Sequence, residues 1–133
     1  PQMNFINATV AKNGSDVTVN FGKYSFKLPE YKTKALIDGG YVGKEVVMGI
    51  RPEDVHDEDI FLSTSADSIV NADVEVTELL GAETNLFLVI DGQNVTARVD
   101  SRSTAKVGDN IKVAFDVNRI HLFDKATELT ICN

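Results

Sequence analysis

The chain has 133 residues, 43% hydrophobic and 25% charged, with a net charge of -7 and a sequence pI near 4.7. This is enough chain for one domain or two small subdomains, with a core that needs no metal or disulfide staple. The acidic balance argues against general binding to nucleic-acid backbones or anionic lipid, the lone Cys132 cannot form an internal disulfide, and no apolar run is long enough to span a membrane.

The opening PQMNFINATV lacks a basic region followed by an apolar core, so it does not read as a signal peptide. It also lacks an initiator Met, and the chain is expected to be a fragment of a longer cytosolic protein. From there the dominant period is two. In DVTVNF, Val17, Val19 and Phe21 share one face, and in YSFKL so do Tyr24, Phe26 and Leu28. Such alternation predicts strands with one face in a core and one in water. Asn13-Gly14 supplies the turn before the first of these. Residues 30–38, EYKTKALID, are the one helical stretch, closed by Gly39-Gly40. KEVVMGI follows as a strand, and Pro52 ends it or places it on an edge.

Residues 51–67 hold one basic and six acidic side chains. Such a charge run reads as an exposed, solvated connection between two β subdomains, residues 1–50 and 68–133. It lacks the ligand spacing and central glycine of a calcium loop. In DVEVT, Val74 and Val76 alternate with Asp73, Glu75 and Thr77. NLFLVI, residues 85–90, is apolar throughout, as for a strand covered on both sides. Asp91-Gly92 then turns the chain into VTARV, where Val95, Ala97 and Val99 alternate with polar residues. Val107-Gly108-Asp109 opens IKVAFDV, the last long alternating run. Many short strands joined by tight turns predict an all-β fold, a small barrel or sandwich built from two β subdomains with one short helix.

No catalytic constellation emerges. Gly39-Gly40-Tyr41-Val42-Gly43-Lys44-Glu45 is too short for a phosphate loop, and a carboxylate stands where the magnesium-holding hydroxyl is required. His56 and His121 have no accompanying Cys or His cluster, so no metal site is expected. His121 alternates with Ile120 and Leu122 and is expected to point away from their core face. Carboxylates are numerous, so a hydrolase using a carboxylate pair stays open as one reading. Most Phe and Tyr fall on the apolar side of alternating strands, which argues for core packing over base stacking and against a nucleic-acid partner.

Three segments in order are distinctive. They are Gly49-Ile50-Arg51-Pro52-Glu53-Asp54, then Glu78-Leu79-Leu80-Gly81-Ala82-Glu83-Thr84, then Val107-Gly108-Asp109 with Asn118-Arg119-Ile120-His121-Leu122-Phe123-Asp124. With the opening Met3-Asn4-Phe5, this succession resembles the C-terminal regulatory region of ATP-binding subunits from carbohydrate ABC importers, the maltose and multiple-sugar transporter family. The resemblance runs over essentially the whole chain.

It implies one regulatory domain over residues 1–133, of the transport-associated oligonucleotide/oligosaccharide-binding (OB) type. It further implies that this chain hydrolyses nothing and holds no cofactor, with ATP and magnesium bound by a nucleotide domain elsewhere in the parent protein. The implied partners are a second copy of the subunit, membrane permease subunits reached through the missing domain, and a regulatory protein of sugar uptake. The implied place is the cytoplasm, at the inner face of the membrane through the transporter complex. Arg51, Glu53, Glu83, His121 and Phe123 are the candidate interface or regulatory residues; no catalytic or metal-binding residue is expected. The alternative reading is a small-ligand sensor of the same fold, for a sugar or an oxyanion such as molybdate.

Overall fold

A computed structural model of the chain describes residues 2–133. Eleven strands dominate it, and the chain falls into two compact units, each with its own antiparallel sheet. Among the described residues no helix is long and apolar enough to cross a membrane. The all-β expectation holds.

One unit comprises residues 5–50 and 117–133. Its sheet contains β1 (Asn4–Asn13), β2 (Asp16–Phe21), β3 (Tyr24–Lys27), β4 (Glu45–Ile50), β10 (His121–Asp124) and β11 (Thr130–Cys132), in the order β11-β10-β4-β1-β2-β3. The alternation does what the period predicts: Ile6, Ala8 and Val10 are buried from β1, Val17, Val19 and Phe21 from β2, and Val46, Met48 and Ile50 from β4.

The helix α1 (Glu30–Asp38) starts after Pro29, which has no N–H to leave unsatisfied, and ends where Gly40 takes φ +76°. It buries Leu36 and, against expectation for a charged residue, Lys32. Lys32 Nζ donates to the Ile120 carbonyl at 2.8 Å and lies 4.9 Å from the Tyr31 ring centre. The Tyr31 hydroxyl donates to the Asn118 carbonyl. These bonds tie α1 to the returning C-terminal segment.

The other unit comprises, among the described residues, 2–4 and 51–116. Its strands are β5 (Val55–His56), β6 (Ile69–Leu80), β7 (Glu83–Ile90), β8 (Gln93–Asp100) and β9 (Asn110–Phe115), in the order β5-β9-β6-β7-β8. Leu86, Leu88 and Ile90 meet Val95, Ala97, Val99, Val113 and Phe115 in its core. The β7–β8 hairpin turns on Asp91-Gly92, with φ +46° and +79°. Positive φ at both central residues is what a two-residue hairpin needs.

Four sequence expectations are corrected. The boundary after residue 50 appears, but residues 117–133 join the first unit and not the second, because Ile120 and Leu122 complete the core under β4. Residues 51–67 are not a solvated connection. Pro52–Asp54 form a one-turn helix, β5 pairs with β9, and the helix α2 (Asp59–Thr64) follows. Pro52, Asp54 and Val55 are buried there. Glu53, Glu58, Asp59 and Asp67 are exposed, while Asp57 is half-buried and Asp54 buried.

Val74 and Val76 do not share a face. A β-bulge at Glu75 breaks the period: Val74 lies opposite Leu88 and Thr77 opposite Leu86, while Val76 lies opposite Phe87. Directly opposed residues share a face of the sheet, so the bulge sends Val76 to the outer side. Val74 is 2% exposed and Val76 51%. For the same reason NLFLVI is not covered on both sides, and Phe87 stands on the open face at 37% exposure.

Candidate functional site

The five residues singled out from sequence divide between the two units. Arg51 is the exposed residue before the Pro52–Asp54 turn, and its carbonyl accepts from Asp54 N–H. Glu53 is exposed on that turn, and Glu83 is exposed at the start of β7, opposite Leu80 and Asp100. The structure brings Glu53 and Glu83 together as lining of one open cavity of about 930 Å³. His121 and Phe123 lie on β10 in the other unit, both half-buried and on the face opposite Ile120 and Leu122. His121 points away from the core as its alternation predicts, and its Nδ1 is 2.9 Å from Asn133 Oδ1. The Phe123 ring packs edge-on against Phe5 at 5.9 Å. Phe5 is 62% exposed and was missed by sequence reasoning, though its place on the polar face of the NFINATV alternation was the available signal.

The cavity beside Glu53 and Glu83 carries seven carboxylates against Arg98, Arg102 and Lys112. At neutral pH this excess repels anions, which disfavours a phosphate or molybdate site at this place. Two of its carboxyls are pushed in opposite directions. Burial raises Asp57 above the usual carboxylate range, although it accepts a 2.5 Å hydrogen bond from the Ser103 hydroxyl. Asp100 is held low by the Arg102 guanidinium, whose Nε donates to it at 3.0 Å, and by the Arg102 backbone N–H.

Sequence reasoning also missed a trio. Asp54, His56 and Asp116 bring their ligand atoms within 4.8 Å of one another. The pairing of β5 with β9 assembles them, since Asp116 N–H donates to the Asp54 carbonyl and His56 lies opposite Ala114. His56 is oriented by Glu58, 2.8 Å from its Nδ1, and its ring stacks on Phe61 at 3.9 Å. Two carboxylates and an imidazole are a donor set able to hold a divalent cation. Both aspartates, however, already engage other groups of the protein. Nothing in the sequence order announces this trio, because its third member lies sixty residues beyond the first two.

Residues 48–123 match the family described as the TOBE domain, and residues 1–55 match the MalK OB fold domain. The chain belongs to the TOBE domain family. The two matches overlap at residues 48–55, the GIRPED segment, which is also where the chain passes from one compact unit to the other.

Curated relatives of this TOBE chain are import and transport ATP-binding proteins. The oligosaccharides import ATP-binding protein MsmX of Bacillus subtilis is 42% identical over 98% of this chain and 35% of its own length. The trehalose/maltose import ATP-binding protein MalK of Thermococcus litoralis is 38% identical over 96% and 34%. The multiple sugar-binding transport ATP-binding protein MsmK of Streptococcus mutans is 36% identical over 98% and 34%. The chain thus spans about a third of the length of these relatives. The resemblance read from the three motifs holds. A crystal structure of the cytoplasmic molybdate-binding protein ModG, in a form with molybdate bound, superposes with a TM-score of 0.66 over 90% of this chain and 94% of that one. At 18% identity that likeness is one of fold.

Proposed function

We propose that this TOBE chain is the regulatory and dimerisation part of a carbohydrate importer's ATP-binding subunit, with no catalysis of its own. The observation that carries the reading is the end-to-end match, 96–98% of this chain, to import ATP-binding proteins roughly three times as long. In this reading the nucleotide domain, with its ATP and magnesium, lies in the rest of the parent protein and couples hydrolysis to sugar import. This chain binds no cofactor and no nucleic acid. It works in the cytoplasm, held at the membrane through permease subunits that the nucleotide domain contacts.

Its mechanism is mechanical. The chain offers a self-complementary patch, and the matching patch on a second copy keeps the two nucleotide domains at high local concentration through each cycle. A regulatory protein of sugar uptake that prefers one relative orientation shifts the ATPase equilibrium by its differential affinity. Arg51, Glu53, Glu83, His121 and Phe123 are the proposed contact residues, with Phe5 added as the ring against Phe123.

Sedimentation of the parent protein, with and without residues 1–133, tests the pairing role. The intact protein is expected to be dimeric with or without nucleotide, and the truncated one to be monomeric without it. Calorimetry of the isolated chain with magnesium–ATP is expected to show no binding. Tight binding with turnover by this chain alone refutes the reading. The oxyanion-sensor alternative draws on the shared fold with ModG, and it is tested by thermal shift with molybdate and with maltodextrins. A dose-dependent rise with either ligand would establish it instead.

A further inference from the structure

The second half of β6 extends past the sheet that supports it. β9 pairs with β6 only from Ile69 to Asp73, and the last backbone bonds on that side join Val74 to Asp109 and Gly108. From Val76 to Leu80 the strand pairs with β7 alone. On its other side no strand among the described residues meets its backbone N–H and C=O groups. Every residue from Glu75 to Leu80 is exposed. Val76, Leu79, Leu80 and Phe87, four of the chain's large exposed apolar side chains, stand on this one hairpin at 51%, 70%, 48% and 37%.

Proteins usually guard such an edge with lysine, proline or a covering loop. Residues 75–83, EVTELLGAE, contain no proline and no basic residue. The bulge at Glu75 is the one guard present, and it lies before the open stretch. The charges along it are Glu75, Glu78 and Glu83. Glu78 is held on the outer face by Asn85 Nδ2, which donates to it at 3.3 Å.

We propose that the open edge of β6, Val76 to Leu80, receives an extended segment of a partner protein in which apolar residues alternate with lysine or arginine. The partner strand adds to the sheet by backbone hydrogen bonds. Opposed pairs place Thr77 and Leu79 on the face of Leu86, and Val76, Glu78 and Leu80 on the outer face with Phe87 and Glu83. The partner's apolar side chains therefore cover Leu79, and on the outer face its cations answer Glu78 and Glu83 while their aliphatic stems lie on Val76 and Leu80. Charge decides the occupant. Two copies of this chain paired edge to edge bring six carboxylates together with no cation on either segment, and like charges across a strand pair destabilise it. A basic strand reverses the sign. The inference needs only this hairpin and stands independently of the importer reading.

The test uses the 133-residue chain and three synthetic peptides of nine residues: alternating Lys and Val, alternating Glu and Val, and the Lys–Val peptide with two central prolines. Fluorescence anisotropy gives affinity, and amide hydrogen exchange followed by NMR gives location. The Lys–Val peptide is expected to bind, to slow exchange within residues 75–80, and to bind at least tenfold tighter than either control. The double variant Val76→Lys with Leu79→Lys changes only exposed side chains and is expected to weaken it at least tenfold. Unchanged exchange at 75–80, binding indifferent to the double variant, or equal binding of the proline peptide overturns the proposal. A dimer of the free chain that the double variant dissolves overturns it in favour of a second copy.

Discussion

The bulge at Glu75 makes a sharp energetic prediction, because it gives two valines two residues apart opposite environments. Val74→Ala removes two carbons from a side chain that is 2% exposed. At about 0.8 kcal/mol per buried carbon the transfer loss is about 1.6 kcal/mol, and the cavity left beside Leu88 brings the total to about 2–3 kcal/mol. Val76→Ala removes the same atoms from a side chain 51% exposed and leaves no cavity, so its cost stays below about 1 kcal/mol. Both changes lose the same β-propensity, so the difference isolates burial. In a chain of this size 1 kcal/mol moves Tm by about 4 °C. Val74→Ala is therefore expected to lower Tm by roughly 8–12 °C and Val76→Ala by less than about 4 °C. Thermal and urea unfolding followed by circular dichroism measure both, with an unchanged urea slope as the control for two-state behaviour. Equal losses at the two positions would mean that β6 runs without a bulge and that Val76 lies in the core.

Lys32→Met keeps the volume of a fully buried side chain while removing its charge and its bond to Ile120. Since desolvating an ammonium costs several kcal/mol and the lost charged hydrogen bond returns about 1.5–3, Lys32→Met is expected to be neutral or stabilising. Lys32→Ala, which leaves a cavity, is expected to lower stability by at least about 2 kcal/mol; both are read from urea midpoints. The Asp124 carboxyl is held low by the Thr127 N–H and the Tyr41 hydroxyl. Its contribution is present above the unfolded value near 3.8 and is lost as pH falls through the lower folded value. Asp124→Asn should therefore flatten the acid limb of a midpoint-against-pH curve below about pH 4. Asp57 has the opposite sign. Its raised folded value penalises folding at neutral pH and the penalty fades as pH falls toward 3.8, so Asp57→Asn, whose amide oxygen still accepts from Ser103, should not destabilise at pH 7 and should remove that acid gain.

Where the period of two ran unbroken, the sequence was a reliable guide. β2 and β8 bury the residues their alternation marks, and the glycine turns at 14 and 92 fall between paired strands. In β9, Val113 and Phe115 are buried as marked, but Ile111 is half-buried, Ala114 of the other parity is buried too, and Val117 lies beyond the strand. Long-range effects were not legible. Lys32 sits in a helix whose surroundings come from residues 118–132, some ninety positions away, and no local pattern announces a buried ammonium. Likewise Asp54 and Asp116 meet only because β5 pairs with β9. The acidic segment misled for a related reason. Charge density describes side chains facing water, while Pro52, Asp54 and Val55 between them face inward.

The recognisable motifs mark places where the backbone changes course. GIRPED ends β4, turns through Pro52–Asp54 and enters the second unit; LLGAET carries the β6–β7 turn, with Gly81 at φ +76°. Such sequences are constrained by geometry and by whatever meets the exposed turn, and both constraints leave the same signature. The Glu75 bulge separates them for one motif. A regular strand would have continued the parity of Val70, Ala72 and Val74 into Val76. The extra residue turns Val76 outward beside Phe87, beyond the last residue that β9 pairs. Turn geometry accounts for Gly81, but it gives no reason for Val76, Leu79 and Leu80 to be apolar on an open edge. That composition leaves the edge open to strand addition, and it is the composition that the proposed partner strand would cover.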